Sequence, residues 1–215
     1  RLTESTNIYT GVDRALKYLF NPRTKRGSFG KRGGPQAQQL VIDALDASKL
    51  FFDFIADKIL TPRAIVRVRD VGVAEPLLDG PLGALQRLMG KMADKLEDGR
   101  ERDEMLEQQQ RIKGLQAGLT EWLTLGDKGH VYWAERGGRK QTVVTLRSAP
   151  IDVAPALRKH LFGCGTSVIC TSATLAMGGA IAPFAARIGA DEARAIAVKS
   201  PFDFERHMRE IASGR

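Results

Sequence analysis

Apolar residues recur at helical spacing through the first half of the chain. Ile8, Val12, Ala15, Leu16, Leu19 and Phe20 share one face over residues 3–20, and Asn21-Pro22 stops the pattern. Pro35 suits a first helical turn, where its missing N–H costs nothing, and Leu40, Val41, Ala44, Leu45, Phe51, Phe52, Ile55 and Ile59 predict a second helix to about Leu60. The stretch 61–81 is rich in turn residues. It holds a short β-prone run, Ile65, Val66, Val68 and Val71, whose structure the pattern leaves open. From Leu82 to Leu125 the helical pattern returns through Leu85, Met89, Met92, Leu96, Met105, Ile112, Leu115, Leu119 and Trp122. Two or more helices are expected; the charge run around Gly99 can mark a bend, although such a run is usually just a solvated helix face. The heptad register slips between Leu96 and Leu115, which favours packing on the earlier helices over a long coiled coil.

The period changes at Gly126. Residues 130–135 and 141–146 read as strands, and Arg136-Gly137-Gly138-Arg139 between them can supply the positive-φ positions of a hairpin. A helix over 152–162, a buried strand over 166–171, a helix over 181–188 and a strand over 195–198 complete the pattern. That alternation predicts an α/β chain: a helical, arch-like domain over 1–125, then a hairpin with part of a parallel-sheet domain over 126–215.

The chain has 215 residues, 43% of them hydrophobic, enough for a real core. No apolar run reaches the length of a membrane span and the first residues lack a signal-peptide pattern, so a cytoplasmic protein without a membrane partner is expected. Cys164 and Cys170, six apart, suit neither a zinc site nor a redox pair and are expected to be small buried hydrophobes. His130, His160 and His207 are scattered and lack metal-ligand spacing.

A net charge of +8 favours an anionic partner. The charge is concentrated between Asn21 and Pro35, where Arg23, Lys25, Arg26, Lys31 and Arg32 occur without an acid and are interleaved with four glycines. This predicts a flexible cationic loop that tracks a phosphate backbone, against the plainer alternative of a solvated basic linker.

The second candidate site is Thr171-Ser172-Ala173-Thr174, hydroxyls at the expected carboxyl end of a strand, where open α/β sheets bind ligands. Alone, Ser172-Ala173-Thr174 is better explained by a structural cap. Its surroundings say more. Val131-Tyr132-Trp133-Ala134-Glu135, Arg147-Ser148-Ala149-Pro150-Ile151-Asp152-Val153, Leu157, Leu161-Phe162, the Thr/Ser cluster with Leu175, then Phe184, Arg187-Ile188-Gly189 and Ser200-Pro201-Phe202-Asp203-Phe204 together resemble the XPD/DinG-type helicases, specifically the DinG and YoaA group. The resemblance spans about residues 130–206; residues 1–125 match only in position and helical character.

The resemblance implies an internal stretch of a superfamily two, ATP-dependent 5′ to 3′ DNA helicase, with a helical arch inserted between motifs II and III of a RecA-like motor domain. Arg1 is then expected soon after a DEAH-type box. Thr171 to Thr174 would be motif III, coupling the nucleotide site to unwinding, with single-stranded or forked DNA as partner and a role in DNA repair. ATP and magnesium would bind elsewhere in such a parent. The chain itself has no G-x-x-x-x-G-K-[ST] loop, since Gly30-Lys31 is succeeded by Arg32 and Lys25 stands where the first glycine should be, and no Asp-Glu-x-His pair. It is therefore expected to be inactive alone. Many relatives carry an iron–sulfur cluster on four cysteines; two cysteines cannot build one, which leaves any such cluster to other parts of the parent. The rival expectation is a non-catalytic module in which the helices and basic loop dock nucleic acid or protein.

Overall fold

The computed structural model describes residues 8–31, 33–139, 142–172, 174–176 and 180–198, without the side chains of residues 8–10 and 31. The described elements are α1 (Ile8–Leu19), the single turn α2 (Ser28–Lys31), α3 (Gly34–Phe54), β1 (Ile65–Val68), α4 (Asp79–Ala93), α5 (Arg100–Thr124), β2 (His130–Gly137), β3 (Val143–Pro150), α6 (Ala154–His160) and α7 (Ala182–Ile188). They fall into two compact units, one essentially residues 3–151 and the other 152–215.

In the first unit, α1, α3 and the α4–α5 hairpin pack their apolar faces together, and α1 and α5 also meet β3 of an antiparallel sheet of order β1-β2-β3. Apolar spacing drives this assembly. Val12, Leu16 and Leu19 of α1, Val41, Phe51 and Phe52 of α3, Leu82, Leu85 and Met89 of α4, and Ile112, Leu115 and Trp122 of α5 are all buried in one core. The helical hairpin is antiparallel: the Gln116 side-chain amide donates to the Asp79 carbonyl at 3.1 Å and that of Gln109 to the Gln86 carbonyl at 2.8 Å. Such a hairpin requires a break, and of the two readings of the charge run the bend is the one present: α5 starts immediately after Gly99.

α3 does not stop at Phe54. It widens over Ile55–Ile59, where the Leu60 N–H reaches back five residues to the Ile55 carbonyl at 3.0 Å. The Ala56 carbonyl receives the Arg136 guanidinium at 2.5 Å, tying this turn to the end of β2.

The β-prone run left open by the sequence is β1, which pairs with β2 from Ile65↔Glu135 to Val68↔Tyr132. The predicted hairpin is present, running from His130↔Pro150 to Gly137↔Val143. Tyr132, Ala134, Val144 and Leu146 are buried in the core. Trp122 joins helix to sheet, because its buried indole N–H donates to the Trp133 carbonyl at 3.2 Å. These links explain why the units divide after Ile151 instead of near residue 126: the hairpin completes the core of the helices.

The second unit contains α6, one 3-10 turn (Phe162–Cys164) and α7. α6 is tied to the segment that follows α7 by Arg158 to Asp191 at 2.6 Å and by the close fit of Gly189 against the Ala154 carbonyl. The expected strands over 166–171 and 195–198 are not formed. Their apolar side chains are open to solvent, with Ile169 at 87%, Ile196 at 84% and Val198 at 89% exposure. A strand needs a neighbour to take its backbone hydrogen bonds, and among the described residues none pairs with these segments. The described residues are thus mixed α/β with a three-stranded antiparallel sheet, and no parallel sheet is formed among them. Cys164 and Cys170 correct a second expectation: both are free and exposed, because the segments carrying them are not covered. Among the described residues no helix is long and apolar enough to cross a membrane.

Candidate nucleic-acid interface

The basic stretch is an ordered turn. Asn21 and Arg26 form an antiparallel bridge, in which the Asn21 N–H donates to the Arg26 carbonyl and the Lys25 N–H to the Asn21 carbonyl, both at 2.8 Å. The Asn21 side-chain oxygen accepts from the N–H groups of Arg23 at 3.0 Å and Thr24 at 3.3 Å, the habit of asparagine at turn starts. Lys25 sits at the left-handed position, φ 58°, with its ammonium 5.9 Å from the centroid of the Phe20 ring.

The segment after the turn holds it in place. Phe29 is fully buried, worth roughly 1.5–3 kcal/mol of apolar burial. The Gln38 side-chain amide donates to its carbonyl at 3.0 Å. Gly27 adopts φ +129°, and a Cβ there would lie 2.5 Å from the Leu19 carbonyl oxygen. A Cβ on Gly33 would lie 2.5 Å from that of Phe29. The expected flexibility is therefore corrected: these glycines permit close approach between segments and do not loosen the backbone. Arg23, Lys25 and Arg26 are exposed on this platform. The Lys31 side chain and Arg32 lie outside the described residues.

Facing the turn, a cavity of about 910 Å³ opens towards the junction of α4 and α5. Lys25, Arg26 and Lys95 stand at its exposed margin with Glu101 and Glu104, while buried Leu19 and half-buried Met92, Leu96 and Met105 line it more deeply. Glu104 accepts a hydrogen bond from the Tyr18 hydroxyl, which holds that phenol above its ordinary pKa. Gln108, 9% exposed, also lines the cavity. Its place on α5 gave a signal: it falls on the stripe of Ile112, Leu115 and Leu119, where an apolar residue would be the ordinary choice.

The other sequence-derived site lies in the second unit. Thr171, Ser172 and Thr174 are exposed and Ala173 lies outside the described residues. The Ser172 and Thr174 hydroxyls are 3.0 Å apart, and the Thr174 N–H donates to the Ser172 hydroxyl at 3.1 Å. This is a local serine turn, not the end of a formed strand. The block Ser200 to Phe204 also lies outside the described residues.

Two more of the helicase-like blocks, those of Trp133 and Arg147, meet in the β-hairpin. Trp133 lies directly opposite Arg147 and Arg67. The Trp133 indole N–H donates to Glu135 at 2.9 Å and Arg147 to the same carboxylate at 2.5 Å. Burial pushes the Glu135 pKa up, but these two donors outweigh it, and the carboxyl is held below its ordinary value.

No family model, curated protein or solved structure matches this chain. The resemblance to the XPD/DinG-type helicases thus rests on its motif blocks alone.

Proposed function

We propose that the chain is a part of an ATP-dependent 5′ to 3′ DNA helicase that contributes a contact for the single strand and the coupling motif. The observation that carries this is the order and spacing of the blocks from Val131 to Phe204, which is the order found in the DinG and YoaA helicases. The exposed cations on the ordered turn support the DNA contact, since a phosphate backbone is bound chiefly by charge. The uncovered segments holding Ile169 and Ile196 support membership of a larger sheet: they are apolar and β-prone and lack strand partners among the described residues. In a RecA-like motor domain such segments would lie between neighbouring parallel strands, with Ser172 and Thr174 at the sheet's carboxyl end. ATP and magnesium would be held by other parts of that helicase.

The coupling role is tested in the full-length helicase by S172A with T174A. Unwinding should fall further than DNA-stimulated ATP hydrolysis when both are measured on one preparation. Equal loss, or none, would contradict it. A non-catalytic binding module is the second possibility, favoured by the fact that the basic turn belongs to a compact unit with its own core. Absence of ATP hydrolysis by the full-length protein would select it.

A further inference from the structure

We propose that the cavity between the basic turn and the α4–α5 junction receives one base of a single strand whose adjoining phosphates lie on Lys25, Arg26 and Lys95. This rests on the proposed contact between the turn and single-stranded nucleic acid, and it adds where a base goes.

A purely electrostatic contact would need only the exposed cations. It would not need the apolar recess behind them. The opening of about 910 Å³ falls within the size range of small-ligand sites, and its side chains are graded from charged at the mouth to apolar within. A nucleotide is graded in the same way, from phosphate to the flat apolar face of its base. Met92 and Met105 suit such a face, because the thioether is polarizable and the unbranched chain adapts its shape to a ring.

A base also has a polar edge. Gln108 is about nine-tenths buried at the cavity wall, and its side-chain amide makes no hydrogen bond to another described residue. The amide nitrogen and oxygen are nevertheless open to the solvent of the cavity, where a base edge can offer them both a donor and an acceptor. The acids at the margin do not cancel the cations. Glu104 is engaged by Tyr18, and Glu101 is likewise not free, while Lys25, Arg26 and Lys95 face the opening. A strand is the fitting source of the nucleotide, since the exposed charge continues past the cavity to Arg23.

The test uses the 215-residue chain and fluorescence anisotropy with two labelled strands of equal length, oligo-dA and an abasic phosphodiester. Wild type should bind oligo-dA about tenfold more tightly, the scale of one stacked base. Q108L removes the amide and M105W fills the cavity from its half-buried wall. Each should lower oligo-dA affinity to the abasic value and leave abasic affinity unchanged. Equal wild-type affinity for the two strands overturns the base site while sparing the phosphate contact, as does an equal loss on both strands in both variants. Failure to bind either strand overturns both proposals. Free dAMP competing as well as the strand would assign the cavity to a small nucleotide and overturn the strand as its occupant.

Discussion

Replacing Gly27 by alanine separates an ordered platform from a loose loop. At φ +129° the backbone lies where side chains are strained, at a cost of about 1–3 kcal/mol. The added Cβ would also stand 2.5 Å from the Leu19 carbonyl oxygen and 2.8 Å from the Tyr18 carbonyl oxygen, so α1 or the turn must move. Forcing an extra carbon into a packed site costs about another 1–3 kcal/mol. The combined loss is about 2–6 kcal/mol, which at roughly 2–4 °C per kcal/mol for a unit of this size lowers Tm by about 4–24 °C. Thermal unfolding followed by circular dichroism measures it. The companion variant is G114A, at an exposed position within α5 where a Cβ meets nothing. There alanine should stabilise by up to about 1 kcal/mol through helix preference alone. If G27A melts with the wild type, the turn is a loose linker after all and close approach does not constrain it.

The purified chain should release no phosphate from ATP with or without DNA, because it lacks the phosphate loop and the acid pair; DNA-stimulated release above a mock preparation would refute that. Acid should weaken the sheet through Glu135. Its folded pKa is depressed, so its contribution is complete above the ordinary glutamate range and is lost as pH falls through the folded value. Urea midpoints measured from neutral to acid pH should fall less for E135Q than for wild type, and parallel curves would show that Trp133 and Arg147 do not favour the charged form.

The helices and hairpin were legible because each carries its own period. Leu82, Leu85 and Met89 lie inside on α4, as their spacing requires, and Tyr132 and Ala134 lie inside on β2. β1 was harder to read, since Ile65 and Arg67 are exposed and only pairing to β2 makes a strand of so short a run. Residues 166–171 show the opposite failure. Their composition is that of a buried strand, yet burial depends on neighbours that composition cannot supply, and Ile169 is left exposed. The cations at Arg23, Lys25 and Arg26 were visible as a charge run. The cavity behind them was not, because Leu19, Met92 and Gln108 come from three distant parts of the chain. Glycine misled most: Gly27 and Gly33 read as freedom and serve as points of close packing.

The proposed binding of single-stranded DNA is tested most directly by titrating a labelled oligonucleotide with the chain at increasing salt. Binding should weaken linearly on logarithmic axes, and R23Q with R26Q should reduce the steepness by about 1.4, or about 0.7 for each phosphate no longer neutralised. The reduction should be the same for homopolymeric and mixed sequences, since phosphate contacts carry no sequence information. No binding at low salt, or a double variant with the wild-type affinity and slope, would contradict a phosphate-binding role for the turn.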